Sequence, residues 1–340
     1  MKRLMGWSAF LGGSFLAAAL ALVVYLGMNR MVVIADTGSV SELTKITDSE
    51  KLPGHELSLQ EGGEEGTFLR IPMESAIGPE NITIENQYAE RRLVMFVRGA
   101  TGFFYENNRI TGYVEPVQAA SCTVESEGVT LYLQLSELYE YESILDKGYL
   151  QVNLYKPSEL YEKVVVLDAE ASEGLNSQEK EILYQIEEKC RALLEAEGIR
   201  VYSASGRGKE TGLSDKEMLA EQTKASFYLG LTLGKDTDTE QFGSYVCYSS
   251  LYFRPWLTNG DLADRMEREM VTAIEGKALG LAEVEDGILP ELAIPAVIIC
   301  PGYVSNETEK ALLLTDAYQN RIAEGICKGV LDTFEELKEK

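Results

Sequence analysis

The N-terminal segment of the chain is a long apolar run. Lys2 and Arg3 precede uncharged residues from Leu4 to Met28, "LMGWSAFLGGSFLAAALALVVYLGM". Because a helix rises about 1.5 Å per residue, roughly 20 residues cross a bilayer core. We predict that residues 1–30 form a cytoplasmic stub and a single transmembrane anchor spanning residues 4–28, with the basic end inside. A cleaved signal peptide is the alternative, although its apolar core usually spans only about 7–15 residues.

Residues 31–66 show little hydrophobic periodicity. They are rich in Ser, Thr, Gly and Glu, including "GGEEG", and this composition is typical of a flexible tether. His55 is the only histidine in the chain, and it lies in this predicted tether. We therefore expect no imidazole in either folded domain.

Over residues 67–157 apolar positions alternate with polar ones. In "GVTLYLQL", Leu131 and Leu133 fall on one face and Tyr132 and Gln134 on the other. The segments "RLVMFVRG", "YEYESIL" and "GYLQVNLY" alternate in the same way. This period of two predicts a small all-β domain, a sandwich of two sheets. Its tyrosines either complete a half-buried sheet or stack on sugars.

From residue 163 to residue 340, apolar strands alternate with helices. This order predicts a three-layer α/β domain, because strands that are apolar on both faces need helices on both sides. The predicted strands are "VVVLDA", "IRVYSA", "SFYLGLTL", "SYVCY" and "AVIIC", and the predicted helices cover residues 177–197, 214–225 and 262–278, followed by one long C-terminal helix.

The charge of the chain excludes one class of partner. It has 55 acidic and 31 basic residues, which gives a formal net charge of −24. Nucleic-acid binding needs clustered Lys and Arg, so we expect no nucleic-acid partner. The five cysteines include no C-x-x-C pair, and we expect most of them to be small buried apolar residues.

The C-terminal residues resemble a known family. "IPAVIICPGYVSN" and "YQNRIAEGICKGVLDTFEE" resemble the end of the zinc-dependent N-acetylmuramoyl-L-alanine amidases of the amidase 3 type. "EKEILYQIEEKCRALLEAEGIRVYSAS" resembles their first helix and second strand. The resemblance covers roughly residues 163–337 and implies an amidase-like α/β fold that acts on peptidoglycan. The β domain resembles the wall-targeting AMIN-type domain that often precedes such enzymes.

The resemblance also implies a catalytic site. The family holds Zn²⁺ with two histidines and a glutamate, leaves one position for water, and uses a second glutamate as general base. Aligned on Asp168, the two histidine positions hold Ala171 and Thr232, and the base position holds Cys300. Glu179 is the only family ligand that is matched. We therefore expect no zinc cofactor and a vestigial pocket formed by Asp168, Ala171, Thr232 and Cys300.

Glu179 and its acidic neighbours have other interpretations. With Asn176, Glu179 fits a helix capping box, which alone explains a glutamate at this position. Glu170, Glu173 and Glu179 instead make a candidate oxygen site for Ca²⁺, against the simpler interpretation of a solvated acidic loop. Cys300 has no adjacent Lys or Arg to lower its pKa, so we expect a buried structural thiol.

These features favour a single-pass protein of the cell membrane whose bulk is extracytoplasmic. We expect it to act at the peptidoglycan, without catalysis, in wall binding or regulation; its partners would be peptidoglycan or other cell-wall proteins. The alternative is an active amidase that hydrolyses the muramoyl–L-alanine amide bond with atypical ligands drawn from Glu170, Asp168, Thr232 and Cys300. A third hypothesis is an interaction protein that no longer binds the wall.

Overall fold

The computed structural model describes residues 31–32, 52–62, 68–88, 90–171, 174–207, 211–251, 253–254 and 257–338. The chain divides into two compact units, and the boundary falls between Tyr155 and Lys156. We call them the N-terminal unit and the C-terminal unit. The predicted domains at 67–157 and 163–340 place the boundary a few residues further along.

The N-terminal unit contains two sheets. In its described part, the first sheet has the strand order β1-β10-β11-β4-β7-β3 and the second has the order β2-β8-β9-β6-β5. A short helix, α1 (Gly102–Asn107), follows β6. The strands are β1 Met31–Val32, β2 His55–Glu56, β3 Leu59–Glu61, β4 Phe68–Pro72, β5 Ile82–Gln87, β6 Arg92–Arg98, β7 Ile110–Gly112, β8 Val117–Val124, β9 Gly128–Leu135, β10 Glu140–Asp146 and β11 Tyr149–Tyr155.

The inner faces of the two sheets share one apolar core. Leu69 and Val152 from the first sheet and Met95 and Leu131 from the second belong to the same buried cluster. The alternation of the sequence produces this arrangement, because every second residue of each strand points to the same face. Tyr132 lies on the opposite face of β9 and is nevertheless only 7% exposed, so the alternation does not separate buried from exposed positions there.

Part of the tether predicted over residues 31–66 forms strands of the N-terminal unit, while residues 33–51 and 63–66 lie outside the described residues. His55 pairs with Cys122 as part of β2, and β3 pairs with β7 in the other sheet. Leu57 between these strands is buried. His55 therefore belongs to the N-terminal unit. Strands of two and three residues are too short to give a periodic signal, which is why the composition of the segment dominated the prediction.

The C-terminal unit is an α/β domain around one mixed sheet. Its strand order is β13-β12-β14-β19-β15-β18, and a separate ladder joins β16 and β17. The elements are α2 Pro157–Leu160, β12 Val164–Asp168, α3 Ser177–Ala196, β13 Arg200–Ser203, α4 Leu213–Gln222, β14 Phe227–Leu231, β15 Ser244–Tyr248, β16 Phe253–Arg254, β17 Leu257–Thr258, α5 Asn259–Ile274, β18 Ala278–Glu283, β19 Ala296–Cys300, α6 Glu307–Leu313 and α7 Asp316–Lys338.

The helices cover both faces of this sheet. One face packs Val165, Leu229 and Val297 against α3, α5 and α7 in a single core. On the other face, Lys216 of α4 reaches Asp168 at the end of β12. The strands β12, β14 and β19 are buried along their whole length, as expected for parallel strands between two helical layers.

Two predicted helices differ from the structure. The helix predicted over residues 262–278 begins earlier, because Thr258 accepts a hydrogen bond from the Asp261 N–H as its N-cap. It ends at Ile274, since Glu275 adopts a left-handed conformation (φ 54°). The residues that follow form the edge strand β18, which is half-exposed and gave no strand signal. The single predicted C-terminal helix is two helices, α6 and α7.

The predicted membrane anchor at residues 4–28 lies outside the described residues. Within the residues that the structure does describe, no helix has the length and apolar character that a bilayer crossing requires. The anchor therefore stays a prediction from the sequence.

We predict that Gly325→Ala destabilises the C-terminal unit by about 1–3 kcal/mol. A methyl group at Gly325 of α7 would lie 2.6 Å from the Met270 Cα of α5, and backbone cannot move aside as a side chain can. The measurement is the free energy of unfolding in urea. Gly329→Ala is the matched control on the same helix, because its nearest contact is the flexible Met266 side chain at 2.9 Å. Equal effects of the two substitutions would contradict the proposed backbone clash.

Candidate functional site

The predicted site residues lie at one edge of the C-terminal sheet. Parallel strands β12, β14 and β19 are neighbours, and Asp168 is in register with Gly230. The Thr232 N–H donates to the Ile299 carbonyl at 3.0 Å, directly before Cys300. The structure therefore brings Asp168, Thr232 and Cys300 to the carboxyl ends of adjacent strands, where α/β enzymes place their sites.

Asp168 is fully buried, and both of its carboxylate oxygens accept hydrogen bonds. Its Oδ2 accepts hydrogen bonds from the Lys216 ammonium at 2.8 Å and from the Tyr228 hydroxyl. Its Oδ1 accepts the Glu170 N–H at 3.0 Å. The carboxylate faces the α4 side of the sheet, where Lys216 is itself only 5% exposed. Asp168 thus anchors the strand end and presents no free oxygen to a ligand.

The loop after Asp168 packs closely against β14. A methyl group placed on Gly230 would lie 2.6 Å from the Ala171 Cβ, so Ala171 occupies the space above this glycine. The Glu170 carboxylate accepts hydrogen bonds from the Lys180 ammonium at 2.6 Å and from the Tyr184 hydroxyl. Glu173, another glutamate of the candidate Ca²⁺ site, lies outside the described residues.

Glu179 binds two groups of this chain. It lies in the first turn of α3, where its Oε2 accepts the Asn176 N–H at 2.8 Å while Asn176 caps the helix. The Lys235 ammonium contacts the same oxygen at 2.6 Å. Partial burial alone would raise the pKa of Glu179, but Lys235 and the Asn176 N–H outweigh it and lower the pKa. The carboxylate is therefore ionised and its charge is balanced by lysine.

Lys235 also fixes the loop that precedes α3. Its ammonium donates to the Gly174 carbonyl at 2.8 Å, in addition to its contact with Glu179. Lys235 follows β14 by four residues, so one side chain connects the loops after β12 and β14. The two described glutamates of the candidate Ca²⁺ site are thus each paired with a lysine: Glu170 with Lys180, and Glu179 with Lys235.

Cys300 is a buried thiol. Its Sγ donates to the Gly302 carbonyl at 3.4 Å and interacts with the Tyr245 hydroxyl. Burial raises the pKa of Cys300 to about 12, so the thiol remains protonated at neutral pH. A protonated thiol is neither a nucleophile nor a metal ligand. The expectation of a structural cysteine agrees with this environment.

Backbone hydrogen bonds hold the loops after β14 and β19 together. The Gly234 N–H donates to the Gly302 carbonyl at 2.9 Å, and the Val304 N–H donates back to the Gly234 carbonyl at 2.9 Å. Glu309 of α6 accepts the N–H groups of Tyr303 and Gly243 through its two carboxylate oxygens. The loops at this edge of the sheet are therefore held in a defined arrangement by their own hydrogen bonds.

The residues present do not fit the zinc ion that the resemblance implies. Ala171 has no donor atom, the Cys300 thiol is protonated, and the Glu179 carboxylate is bound to Lys235. Within the described ranges, no group of three or more His, Cys, Asp or Glu side chains is arranged to hold a metal ion. Three protein ligands are the usual minimum for catalytic zinc.

A second buried acid lies beside the site. Glu187 of α3 is 4% exposed, and its Oε2 accepts the Ala169 N–H at 3.1 Å. Its other oxygen binds the Ser203 hydroxyl and the Arg191 guanidinium. Burial is the largest effect on this group and raises the pKa of Glu187 to about 7.

Sequence reasoning missed three charged residues of this region: Lys235, Lys216 and Glu187. Lys235 carried one usable signal: it follows a buried strand at the sheet edge where Glu179 was expected. Lys216 and Glu187 carried none, because each lies on a helix where charged residues are ordinarily solvated.

Comparison with known proteins agrees with this architecture. Residues 168–332 match the family model Amidase_3, described as N-acetylmuramoyl-L-alanine amidase. The match supports an amidase domain of this type within the C-terminal unit.

The curated relatives have low sequence identity to this chain, and each match covers only part of both proteins. The germination-specific N-acetylmuramoyl-L-alanine amidase of Bacillus subtilis (strain 168) is 25% identical over 144 residues, which are 42% of this chain and 58% of that protein. An uncharacterized cell wall amidase of Bacillus anthracis is 24% identical over 139 residues, 39% of this chain and 26% of that protein. The chain thus covers less than two thirds of either curated relative.

The chain also aligns with a solved structure. The catalytic domain of CwlV, an N-acetylmuramoyl-L-alanine amidase from Bacillus (Paenibacillus) polymyxa var. colistinus, is 23% identical with a TM-score of 0.46. The alignment covers 51% of this chain and 98% of that structure.

We predict that the stability of the C-terminal unit falls as the pH rises from about 4.5 to about 7. Glu187 has a pKa of about 7 in the folded chain and an ordinary value of 4.5. Its contribution is complete below pH 4.5 and is lost as the pH passes 7, with a slope of about 1.4 kcal/mol per pH unit in between. Glu187→Gln removes this contribution. The measurement is urea unfolding at several pH values between 4 and 8.

The matched control for this titration is Glu188→Gln. Glu188 is exposed and pairs with Arg207 at the surface, so its variant retains the pH slope of the wild-type chain. An unchanged slope in Glu187→Gln would contradict the assignment.

We predict that Lys235→Met raises the pKa of Glu179 toward its ordinary value. The ammonium that stabilises the carboxylate is lost, while the side-chain length is kept. Lys235 is 43% exposed, so solvent screening limits the cost in unfolding free energy to about 1 kcal/mol or less. That contribution is present above the ordinary pKa of Glu179 and disappears as the pH falls through its lowered value. The measurement is a ¹³C-carboxyl NMR titration, with Lys180→Met as control because Lys180 binds Glu170 instead.

Proposed function

We propose that this chain is a membrane-anchored, extracytoplasmic protein that acts at the peptidoglycan without hydrolysing it. Its amidase-type domain would serve in wall binding or in the regulation of other wall proteins. The observation that carries the proposal is the contact between the Lys235 ammonium and Glu179 at 2.6 Å. The single family ligand present in the sequence is bound by a cation of the protein itself.

The chemistry of the family requires groups that this site lacks. Amide hydrolysis needs an activated water and a group that accepts its proton. A lone carboxylate paired with lysine supplies no zinc site, and Cys300 with its raised pKa accepts no proton at neutral pH. The absence of an imidazole from the described C-terminal unit removes serine–histidine and cysteine–histidine mechanisms as well.

The intact site edge supports a role in recognition. The loops after β14 and β19 are joined by backbone hydrogen bonds, and Glu309 holds two further backbone groups. Such a surface keeps a defined shape without any catalytic group. A protein that retains this edge can bind a partner or a wall fragment while leaving the amide bond uncleaved.

The location of the protein is part of the proposal. The apolar run from Leu4 to Met28, preceded by Lys2 and Arg3, supports a single membrane anchor with the remaining residues outside. Peptidoglycan in that compartment is the partner class consistent with the amidase-type match at residues 168–332. The AMIN-like character of the N-terminal unit belongs to the same proposal and rests on the resemblance of its β pattern.

An active amidase is the second candidate function, and the match to Amidase_3 favours it. It requires metal donors other than those of the family. Among the residues considered for that role, Asp168 is bound to Lys216 and Glu170 is bound to Lys180. Thr232 remains the neutral hydroxyl at this edge and cannot hold zinc alone.

We predict that the purified full-length chain in detergent binds no stoichiometric zinc and releases no stem peptides from peptidoglycan. The ligand positions explain both results, since Ala171 and Thr232 replace the histidines that the resemblance implies. The measurements are metal analysis after equilibration with Zn²⁺ and chromatography of digested sacculi. An active Amidase_3 amidase in the same detergent provides the positive control.

The same preparation tests recognition by sedimentation with insoluble peptidoglycan. We expect the chain to sediment with the wall. Zinc-dependent release of peptides would overturn the proposal in favour of an active amidase. Failure to sediment would overturn wall binding and favour an interaction protein.

A further inference from the structure

The outer face of the first sheet of the N-terminal unit carries an unusual arginine. Arg70 projects from β4 away from the core, because its neighbours Leu69 and Ile71 are fully buried. Its guanidinium carbon lies 5.1 Å from the centroid of the Phe68 ring and 5.5 Å from the centroid of the Tyr149 ring. The cation therefore lies close to two aromatic rings on the outer face of this sheet.

Polar side chains surround Arg70 on this face. Gln151 of β11 and Thr111 of β7 are its partners in register on either side. Asn153 is in register with Phe68. We call the set Phe68, Arg70, Tyr149, Gln151 and Asn153 the Arg70 face.

The charge of Arg70 is not balanced within the described residues. No ion pair or hydrogen bond engages its guanidinium there, although the chain contains 55 acidic residues. Stacking on aromatic rings covers the planes of a guanidinium and leaves its N–H edges available. These edges match the geometry of a carboxylate, which they bind with two parallel hydrogen bonds.

Acidic residues on the strand next to β11 limit the type of ligand. Glu142 and Asp146 lie on β10, in register with Asn153 and Tyr149 of β11. They are one strand further from Arg70 and both are exposed. They repel polyanions, so the face favours a ligand with a single negative charge next to a neutral body.

The neutral part of the face suits a sugar. Aromatic side chains offer apolar surface to a pyranose ring. The amides of Gln151 and Asn153 can both donate to and accept from hydroxyl and acetamido groups. We propose that the Arg70 face binds an acetamido sugar that carries a free carboxylate.

In peptidoglycan, a free carboxylate on the acetamido sugar arises from amide hydrolysis. Hydrolysis of a muramoyl–L-alanine amide bond adds water, releases the peptide as an amine, and leaves the lactyl group of the sugar as a carboxylate. Intact glycan carries that group as an amide instead. The Arg70 face would thus recognise glycan from which an active amidase has already removed the peptide. This inference extends the proposed wall-binding function and identifies the form of wall that is bound.

The experiment compares two soluble sugars on the full-length chain in detergent. N-acetylmuramic acid and N-acetylglucosamine share the acetamido pyranose and differ in the lactyl carboxylate. Binding is followed by NMR chemical shifts of the protein at increasing sugar concentration. We expect N-acetylmuramic acid to bind at least about ten-fold more tightly, because only its carboxylate can form a charge-assisted pair with the Arg70 guanidinium. Equal affinities would overturn the inference.

Substitutions of Arg70 test whether its guanidinium causes the preference for N-acetylmuramic acid. Arg70→Gln should lose the preference for the acid, and Arg70→Lys should keep only part of it, since an ammonium lacks the planar fork. Arg98→Gln is the matched control, because it removes the same charge from an arginine that pairs with Glu127 on the other sheet. Thermal unfolding checks that each variant is folded. A preference that survives in folded Arg70→Gln would also overturn the inference.

A second arm uses insoluble peptidoglycan before and after treatment with an active amidase. We expect stronger sedimentation of the chain with the treated wall, and loss of that gain when the carboxylates are converted to methylamides. Equal sedimentation with all three samples would overturn the inference and leave wall binding standing. Absence of sedimentation with any sample, together with retained discrimination between the soluble sugars, would instead contradict wall binding alone.

Discussion

A buried ion pair at the end of β12 determines the geometry of the C-terminal site. Asp168 is fully buried, and its carboxylate would be strongly destabilised there without the Lys216 ammonium at 2.8 Å. The pair ties α4 to β12, and the Tyr228 hydroxyl extends it to β14. Removing one partner of such a pair typically costs about 3–5 kcal/mol, because the other charge stays buried. The positions of Ala171 and Glu170 follow from this anchor, since the chain leaves the sheet at a fixed point.

Much of the fold follows from hydrophobic periodicity, and the failures have physical reasons. The strand "AVIIC" is found over Ala296–Cys300, because a strand covered by helices on both faces must be apolar throughout. The edge strand Ala278–Glu283 escaped prediction because it is half-exposed and interrupted by Gly280. The strands at His55 and Leu59 escaped because two or three residues cannot establish a period. A strand is therefore easier to predict from the sequence when it is fully buried and long.

The sequence predicts the location of a site residue only where that location depends on its position along a strand. Alignment with the resembling family placed Asp168, Thr232 and Cys300 at the ends of predicted strands, and these ends meet at one edge because the strands are parallel. The contact between Lys235 and Glu179 joins residues 56 positions apart and depends on how two loops meet. No local pattern encodes such a pair. The sequence therefore indicated where these residues lie along the strands but not which group binds Glu179.

The Lys235 contact changes the meaning of the glutamate at position 179. A carboxylate at a helix N-terminus is stabilised by the cap and by the helix dipole, without any metal. Here Glu179 completes that cap with Asn176 and receives a full positive charge from lysine. Both structural requirements of the residue are thus met within the chain. Its presence is accounted for by local electrostatics, so it gives no independent support for a metal centre, and a catalytic function would have to be argued from other residues.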